Sequence, residues 1–303
     1  MSKKQKYCFN KAIENKLQGF KTWLEGQRNE QSTIRQKLNY TGYFLRWMEG
    51  EGLTEPGTAY NDLLVFIDHC RTEGKSKKHI NTMLRSIRNY YDYLKSTGEV
   101  TLNPAANLYL KGVRHKLPHD ILSSESLSQL YQSYPVIDNR SKRNKIILGM
   151  LIYQGITTDE LMRLTTTDVK LQGGKVHIPG SKHSNSRTLE LKSFQVMELH
   201  EYINRIRPGL IVKPTDQIFI SMEGSVNMKN SLHHLFRALK RTNPGIKNAK
   251  QIRASVITAW LKTYNLRQVQ YMAGHRYVSS TERYQLNNLE GLKDQVDKYH
   301  PLG

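Results

Sequence analysis

Apolar residues recur with a helical period through the first hundred positions of the chain. The pattern is clearest over residues 32–52, 59–74 and 76–98, and each of these stretches ends on a glycine, as helices commonly do. One face of the last stretch is apolar and consists of Ile80, Leu84, Ile87, Tyr91 and Leu94. The sequence therefore predicts a small helical bundle at the N-terminal end.

The helical pattern stops at the Asn-Pro pair of residues 103–104, and a basic stretch with a further proline follows. Proline disfavours helix in the residue before it, so this region is typical of a connection between domains. A chain of 303 residues is long enough for two domains with separate cores. We predict a first domain over residues 1–112, a linker over 113–120 and a second domain over 121–303.

The second domain combines helical patterns with one pair of strand patterns. Residues 175–180 and 187–192 flank the polar, turn-prone segment 181–186, which indicates a β-hairpin. Helices are predicted over residues 124–134, 139–154, from 158 onward, 193–206, 229–242, 249–263 and 265–273. The predicted class is mainly α with a small β-sheet.

Composition adds a class of partner. The chain has 46 Lys and Arg against 26 Asp and Glu, a formal net charge of +20, and both halves are basic. This charge favours a polyanion, and nucleic acid is the leading candidate. The two cysteines lack metal-binding spacing, and no apolar run is long enough to span a bilayer. We expect a cytoplasmic protein with no metal, no cofactor and no membrane association.

The third predicted helix carries basic residues largely off its apolar face. They are Lys78, Arg85, Arg88 and Lys95. A basic stripe on a short helix can lie along DNA phosphates, and it can equally be a solvated face, as most charged runs are. Both interpretations stay open at this point.

Residues 155–164 have the pattern of a helix start. Thr157 and Glu160 stand three apart, so the threonine oxygen can accept a free helix N–H while the glutamate reaches back to the cap. This spacing predicts a capping box.

An ordered set of polar residues stands out in the second domain. Lys250 and Arg253 lie one helical turn apart, the Gly-His pair 274–275 follows, and Tyr284 comes nine residues after the histidine. Lys182 lies in the predicted hairpin. Alone, each would more often be a structural residue. In this order they resemble the tyrosine recombinase (phage integrase) family, whose ending has the pattern HxxR, then GH, then a nucleophilic tyrosine.

The resemblance extends to the rest of the chain and implies a fold. The N-terminal helices with Asn-Pro-Ala look like the family's core-binding (SAM-like) domain, and residues 155–169 line up with its GLR-x-x-E-L segment. The implied architecture is a core-binding domain plus a catalytic domain that together form a C-shaped clamp on double-stranded DNA.

The resemblance also implies roles for the ordered residues. Tyr284 would attack a DNA phosphorus and form a 3′-phosphotyrosyl ester without ATP or metal. Arg253 and His275 would contact the phosphate oxygens, and Lys182 would protonate the leaving 5′-oxygen. Lys250 stands where histidine is commonest and still supplies a hydrogen-bond donor. Tyr271 and Tyr277 are close in sequence, but the position relative to the Gly-His pair favours Tyr284.

Thr157 is the main departure from the family pattern, because the first catalytic arginine stands at this position in the family. Loss of one preorganised donor typically lowers a rate by ~10²–10³. Another cation could fill the space, the enzyme could be slow, or cleavage could be lost with DNA binding retained. The cations nearest in sequence are Lys145, Arg143 and Arg163.

We therefore expect a site-specific recombinase that integrates, excises or inverts DNA, acting as a homodimer on DNA and a homotetramer in synapsis, and associated with the nucleoid when bound. One alternative is a cleavage-deficient, sequence-specific DNA-binding protein. Another is a topoisomerase-like enzyme that uses the same chemistry. The tail has an amphipathic pattern that could pack on a neighbouring protomer or on its own domain, formed by Leu289, Leu292 and Val296.

Overall fold

The computed structural model describes residues 10–112, 120–182 and 184–285. The chain divides into two compact units, Met1–His115 and Lys116–Gly303. This division falls inside the stretch 113–120 that the sequence predicts as a linker. The tail pattern at Leu289, Leu292 and Val296 lies outside the described residues.

Over its described residues, 10–112, the first unit is a bundle of four helices. They are α1 (Lys11–Gly26), α2 (Gln31–Gly50), α3 (Tyr60–Thr72) and α4 (Lys77–Ser96). Phe20, Phe44, Phe66 and Tyr91 are fully buried in its core, and the ring of Phe44 meets that of Phe66 edge to face at 5.0 Å. The helical bundle predicted from the periodicity is confirmed.

Arg88 of α4 has a different environment from its basic neighbours. Its guanidinium donates to the carbonyls of Ala105 (Nε, 3.0 Å) and Leu108 (Nη2, 3.0 Å). Arg88 therefore anchors the Asn-Pro-Ala segment to the bundle and is not a free phosphate contact. Lys78, Arg85 and Lys95 are exposed.

The second unit is mainly helical. Its α-helices are α5 (Ser124–Gln132), α6 (Asn139–Tyr153), α7 (Thr158–Arg163), α8 (Ser193–Glu201), α9 (Lys229–Thr242), α10 (Ala249–Thr263) and α11 (Leu266–Ala273). α6 is the most buried of these and packs against α5, α8 and α10. Residues 279–285 are also helical. The predicted helix over 193–206 corresponds to α8, which ends at Glu201, followed directly by a π-helical turn, Tyr202–Ile206.

In the described part of this unit the sheet has three antiparallel strands, in the order β1 (Val169–Lys170), β2 (Lys175–Ile178) and β3 (Arg187–Glu190). The sequence predicts only the last two, because a strand of two residues has no readable alternation. In the register of β2 and β3, Val176 lies opposite Leu189 and Ile178 lies opposite Arg187. The class, mainly α with a small sheet, is confirmed. No helix in the described part of the chain is long and apolar enough to cross a membrane.

Candidate active site

The start of α7 forms one wall of the site. Thr157 Oγ1 accepts the backbone N–H of Glu160 (3.1 Å), and the Thr157 N–H donates to Glu160 Oε2 (2.8 Å). The predicted capping box is therefore confirmed. Gly155 precedes it with φ +56°, and a Cβ there would lie 3.0 Å from Val256 and Trp260 of α10. The chain can enter α7 this close to α10 because residue 155 is glycine.

Glu160 also holds two arginines. Arg187 of β3 donates from Nη1 to Oε1 (2.7 Å) and from Nη2 to Oε2 (3.1 Å). Arg253 Nη1 lies 3.7 Å from the same Oε2. Burial would raise the pKa of Glu160, but the hydrogen bonds and charge of Arg187, assisted by Thr157 and Arg253, hold this pKa at about 2. Glu160 is therefore a carboxylate at neutral pH.

Arg253 connects three parts of the unit. From α10 its Nη1 donates to Gly155 O and its Nη2 to Ala273 O (2.6 Å), so it joins the start of α7 to the end of α11. Its side chain is 12% exposed. Burial, above all, lowers its pKa from the usual value for arginine. A planar guanidinium in this place can present donors to a phosphate.

The end of α11 places His275. Gly274 closes the helix in the left-handed conformation, with φ +68°. The Nδ1 atom of His275 lies 2.8 Å from Thr281 Oγ1. Burial and the charges of Arg253 and Arg187 lower the pKa of His275 to about 4. The imidazole is therefore neutral at pH 7, where it can form hydrogen bonds without carrying charge.

Tyr284 stacks on this imidazole. The two rings are parallel within 9° and their centroids are 6.0 Å apart. The tyrosine is half-buried and packs against the small apolar cluster of Ile257, Val269 and Ala273. The structure thus brings together three residues that the sequence predicts for catalysis: Arg253, His275 and Tyr284.

Lys182 lies at the tip of the hairpin between β2 and β3, which is tied to the His275 segment. Asn185 N donates to Gly274 O (3.0 Å), and Arg276 Nη1 donates to Lys182 O (2.7 Å). The Lys182 side chain is exposed. These contacts hold the hairpin tip against residues 274–276, at the edge of the site.

The remaining predicted cations lie elsewhere. Lys250 is exposed on α10, one turn before Arg253. Arg143 is buried and donates to Ile220 O (2.9 Å). Lys145 lies 4.0 Å from Glu198, and exposed Arg163 donates to Asp159 O. Among the described residues, none of these last three cations contacts Glu160, Arg253 or His275. The structure therefore does not support Lys145, Arg143 or Arg163 as substitutes for the first arginine.

Arg187 is the site residue that the sequence pattern did not single out. It alternates with Leu189 and Leu191, so it occupies a position on the buried face of β3, where a charged residue is unusual. That signal is readable from the sequence, but its partner Glu160 is not. Within the described residues, no cluster of three or more His, Cys, Asp or Glu side chains is arranged to hold a metal ion.

We expect the lowered pKa of His275 to make stability depend on pH. Between about pH 6.5 and pH 4 the unfolded chain binds a proton on this histidine and the folded chain does not, so stability falls as the pH falls through this window. The loss from Glu160 lies lower, between its ordinary 4.5 and about 2. Melting temperatures at about pH 7 and about pH 5 should therefore differ less in His275→Gln than in the wild type. An equal fall in both proteins would contradict the assignment.

Comparison with known proteins identifies the class to which this geometry belongs. Residues 120–290 match the model of the phage integrase family. The chain is 26% identical over 279 residues to tyrosine recombinase XerD of Listeria innocua, covering 89% of this chain and 93% of that protein. It is 24% identical over 297 residues to tyrosine recombinase XerC of Oceanobacillus iheyensis, covering 95% and 97%.

Two solved structures share the fold. The XerH site-specific recombinase, bound to a palindromic difH substrate in a post-cleavage complex, superimposes with a TM-score of 0.74 at 18% identity, covering 94% of this chain and 96% of that one. A lambda integrase dimer bound to a core site superimposes with a TM-score of 0.65 at 13% identity, covering 89% and 94%. The family match and the curated relatives define the class as enzymes that recombine DNA by cleaving and rejoining its strands. The chain belongs to the phage integrase family of tyrosine recombinases.

Proposed function

We propose that this protein is a site-specific DNA recombinase that uses Tyr284 as its nucleophile. The phenolic oxygen attacks a backbone phosphorus, the bond from phosphorus to the 5′-oxygen breaks, and a 3′-phosphotyrosyl ester stores the broken linkage. Attack by a 5′-hydroxyl from the partner strand reverses these steps and releases the tyrosine. The number of phosphoester bonds is unchanged, so neither ATP nor a metal ion is required.

The other site residues have complementary roles in this proposal. Arg253 and neutral His275 donate hydrogen bonds to the non-bridging phosphate oxygens, where charge develops during attack. Lys182 supplies a proton to the departing 5′-oxygen, and the proton that the phenol loses passes to solvent. Lys250 is a further donor one helical turn from Arg253. The single observation that carries the proposal is the stacking of Tyr284 on His275, with Arg253 hydrogen-bonded to the residue before the Gly-His pair.

Double-stranded DNA is the proposed substrate. The net charge of +20 favours it, and Lys78, Arg85 and Lys95 provide an exposed basic face in the first unit. We propose a homodimer on inverted half-sites and a homotetramer in synapsis, in the cytoplasm and on the nucleoid. Integration, excision and inversion share the same chemical steps, so the arrangement of the sites decides among them. Use by a mobile element is part of the proposal.

Covalent selection tests this function and finds the DNA site in the same experiment. The full chain is incubated with a randomised pool of duplexes that carry a nick, so that a cleaved strand loses its short end and cannot be rejoined. Complexes that survive SDS are recovered and sequenced, and the adduct is located by peptide mass spectrometry. We expect a defined sequence to be enriched and the adduct to lie on the Tyr284 peptide. A pool that is enriched only for non-covalent binding would support the alternative, a cleavage-deficient DNA-binding protein.

A further inference from the structure

Within the described part of the chain, Glu160 is the only carboxylate that forms an ion pair with either Arg187 or Arg253. The three side chains are 2%, 0% and 12% exposed. Two guanidinium groups against one carboxylate leave a formal excess of one positive charge, and the adjacent His275 is neutral at pH 7. An unbalanced buried charge is costly. An anion entering the site would therefore be stabilised by this cluster.

Arg187 lies next to the segment that carries His275. A Cβ on Gly274 would stand 2.3 Å from Arg187 Nη1. Only glycine therefore fits at the position before His275, where the backbone passes this guanidinium. Arg187 Nε is buried and has no hydrogen-bond partner among the described residues. At least one donor of the guanidinium is therefore not used by the described residues.

Thr157 and Arg187 meet the same carboxylate. Glu160 Oε2 accepts from the Thr157 N–H (2.8 Å) and from Arg187 Nη2 (3.1 Å). A side chain at position 157 thus begins next to the place that the Arg187 guanidinium occupies. In this chain the cation reaches that place from strand β3, and the helix start contributes a neutral cap.

We propose that Arg187 supplies the phosphate-binding guanidinium that Thr157 does not. This inference rests on the proposed function. Together with Arg253, Arg187 hydrogen-bonds a non-bridging oxygen of the scissile phosphate and stabilises its negative charge as Tyr284 attacks. No bond to Arg187 is made or broken. Because the side chain is fully buried, the residues over it must move as the DNA backbone enters.

The experiment compares Arg187→Met with Arg143→Met. Both remove a fully or almost fully buried guanidinium, and Arg143 is bonded to Ile220 O, outside the site. Each full-length protein is tested on the nicked duplex recovered by covalent selection with the wild type. The scissile linkage is either a normal phosphodiester or a methylphosphonate, in which a methyl group replaces one non-bridging oxygen and removes the charge. The two methylphosphonate stereoisomers are measured separately.

We expect Arg187→Met to form adduct ~10²–10³ times more slowly than the wild type on the phosphodiester. On one methylphosphonate stereoisomer, the factor by which Arg187→Met is slower than the wild type should be at least about tenfold smaller, because the charge that the guanidinium stabilises is absent. For Arg143→Met, the ratio of the adduct rate on the phosphodiester to the rate on each methylphosphonate should equal the wild-type ratio. Rates of Arg187→Met within about threefold of the wild type, or an equal loss on every substrate, would overturn the proposal.

A folding defect does not leave the inference untested. If Arg187→Met lacks a cooperative thermal transition, Arg187→Lys replaces it, because lysine keeps a positive charge beside Glu160 but lacks the planar fork. Arg187→Lys must then show the same reduction of its rate deficit, relative to the wild type, on one methylphosphonate stereoisomer. If the wild type forms no adduct at all, the proposed function fails and this inference falls with it. A cleaving wild type with an equally active Arg187 variant refutes the inference alone.

Discussion

Tyr284→Phe is expected to abolish the covalent DNA adduct and to leave DNA affinity unchanged. Phenylalanine keeps the ring that stacks on His275 and packs against Ile257 and Val269, and it removes only the oxygen that would attack phosphorus. A nucleophile has no partial substitute in this pocket, so the loss should exceed the ~10²–10³ typical of a single stabilising donor. SDS gel analysis on the recovered nicked duplex measures it, and a binding titration at fixed salt provides the affinity.

Two neighbouring tyrosines are matched controls. Tyr277 is 70% exposed and Tyr271 is 55% exposed, and the Tyr271 hydroxyl accepts the backbone N–H of Thr188 (3.1 Å). We expect Tyr277→Phe and Tyr271→Phe to form adduct at close to the wild-type rate. Adduct formation by Tyr284→Phe, or its loss in Tyr277→Phe with Tyr284 intact, would show that the nucleophile is misassigned.

The second large effect concerns stability. Glu160→Ala removes the carboxylate from two arginines and leaves the fully buried Arg187 without a counter-charge. Breaking one partner of a buried ion pair typically costs about 3–5 kcal/mol, because the remaining charge stays desolvated. The loss of the cap at the start of α7 adds to this cost. Urea unfolding at neutral pH measures the difference.

Glu201→Ala is the control for a charge on the surface. Glu201 pairs with Lys142 at 2.6 Å, but both side chains are about 40% exposed (43% and 40%), and such pairs contribute about 0–1 kcal/mol. Glu160→Gln keeps a capping side chain, so its free energy of unfolding should lie between those of Glu160→Ala and the wild type. A cost for Glu160→Ala no larger than that for Glu201→Ala would mean that Arg187 does not depend on this carboxylate.

The parts of the fold that the sequence predicts are those determined by local periodicity. The helices of the first unit follow their apolar faces, and the start of α7 follows the three-residue spacing of Thr157 and Glu160. The meeting of Arg253, His275 and Tyr284 could also be expected, because their order resembles a known family. Their distances and the parallel stacking of the two rings could not.

Contacts between residues far apart in sequence were not predictable from one chain. Arg88 lies off the apolar face of α4, which favours exposure, yet two carbonyls outside that helix bind its guanidinium. Arg187 and Glu160 belong to different elements, β3 and α7, and only the tertiary fold brings the two side chains together. In both cases, a helical or strand pattern gives the face on which a charge lies but not the group that faces it.

The cap at Thr157 also limits which residues this position can accept. A single mutation that placed arginine at position 157 would remove the hydroxyl that binds Glu160 N, at a cost of about 0.5–2 kcal/mol. It would also add a third guanidinium beside one carboxylate. Arginine at position 157 is therefore unfavourable for folding while Arg187 is present. The effect of arginine at position 157 on stability should therefore differ between the wild type and a variant that lacks Arg187.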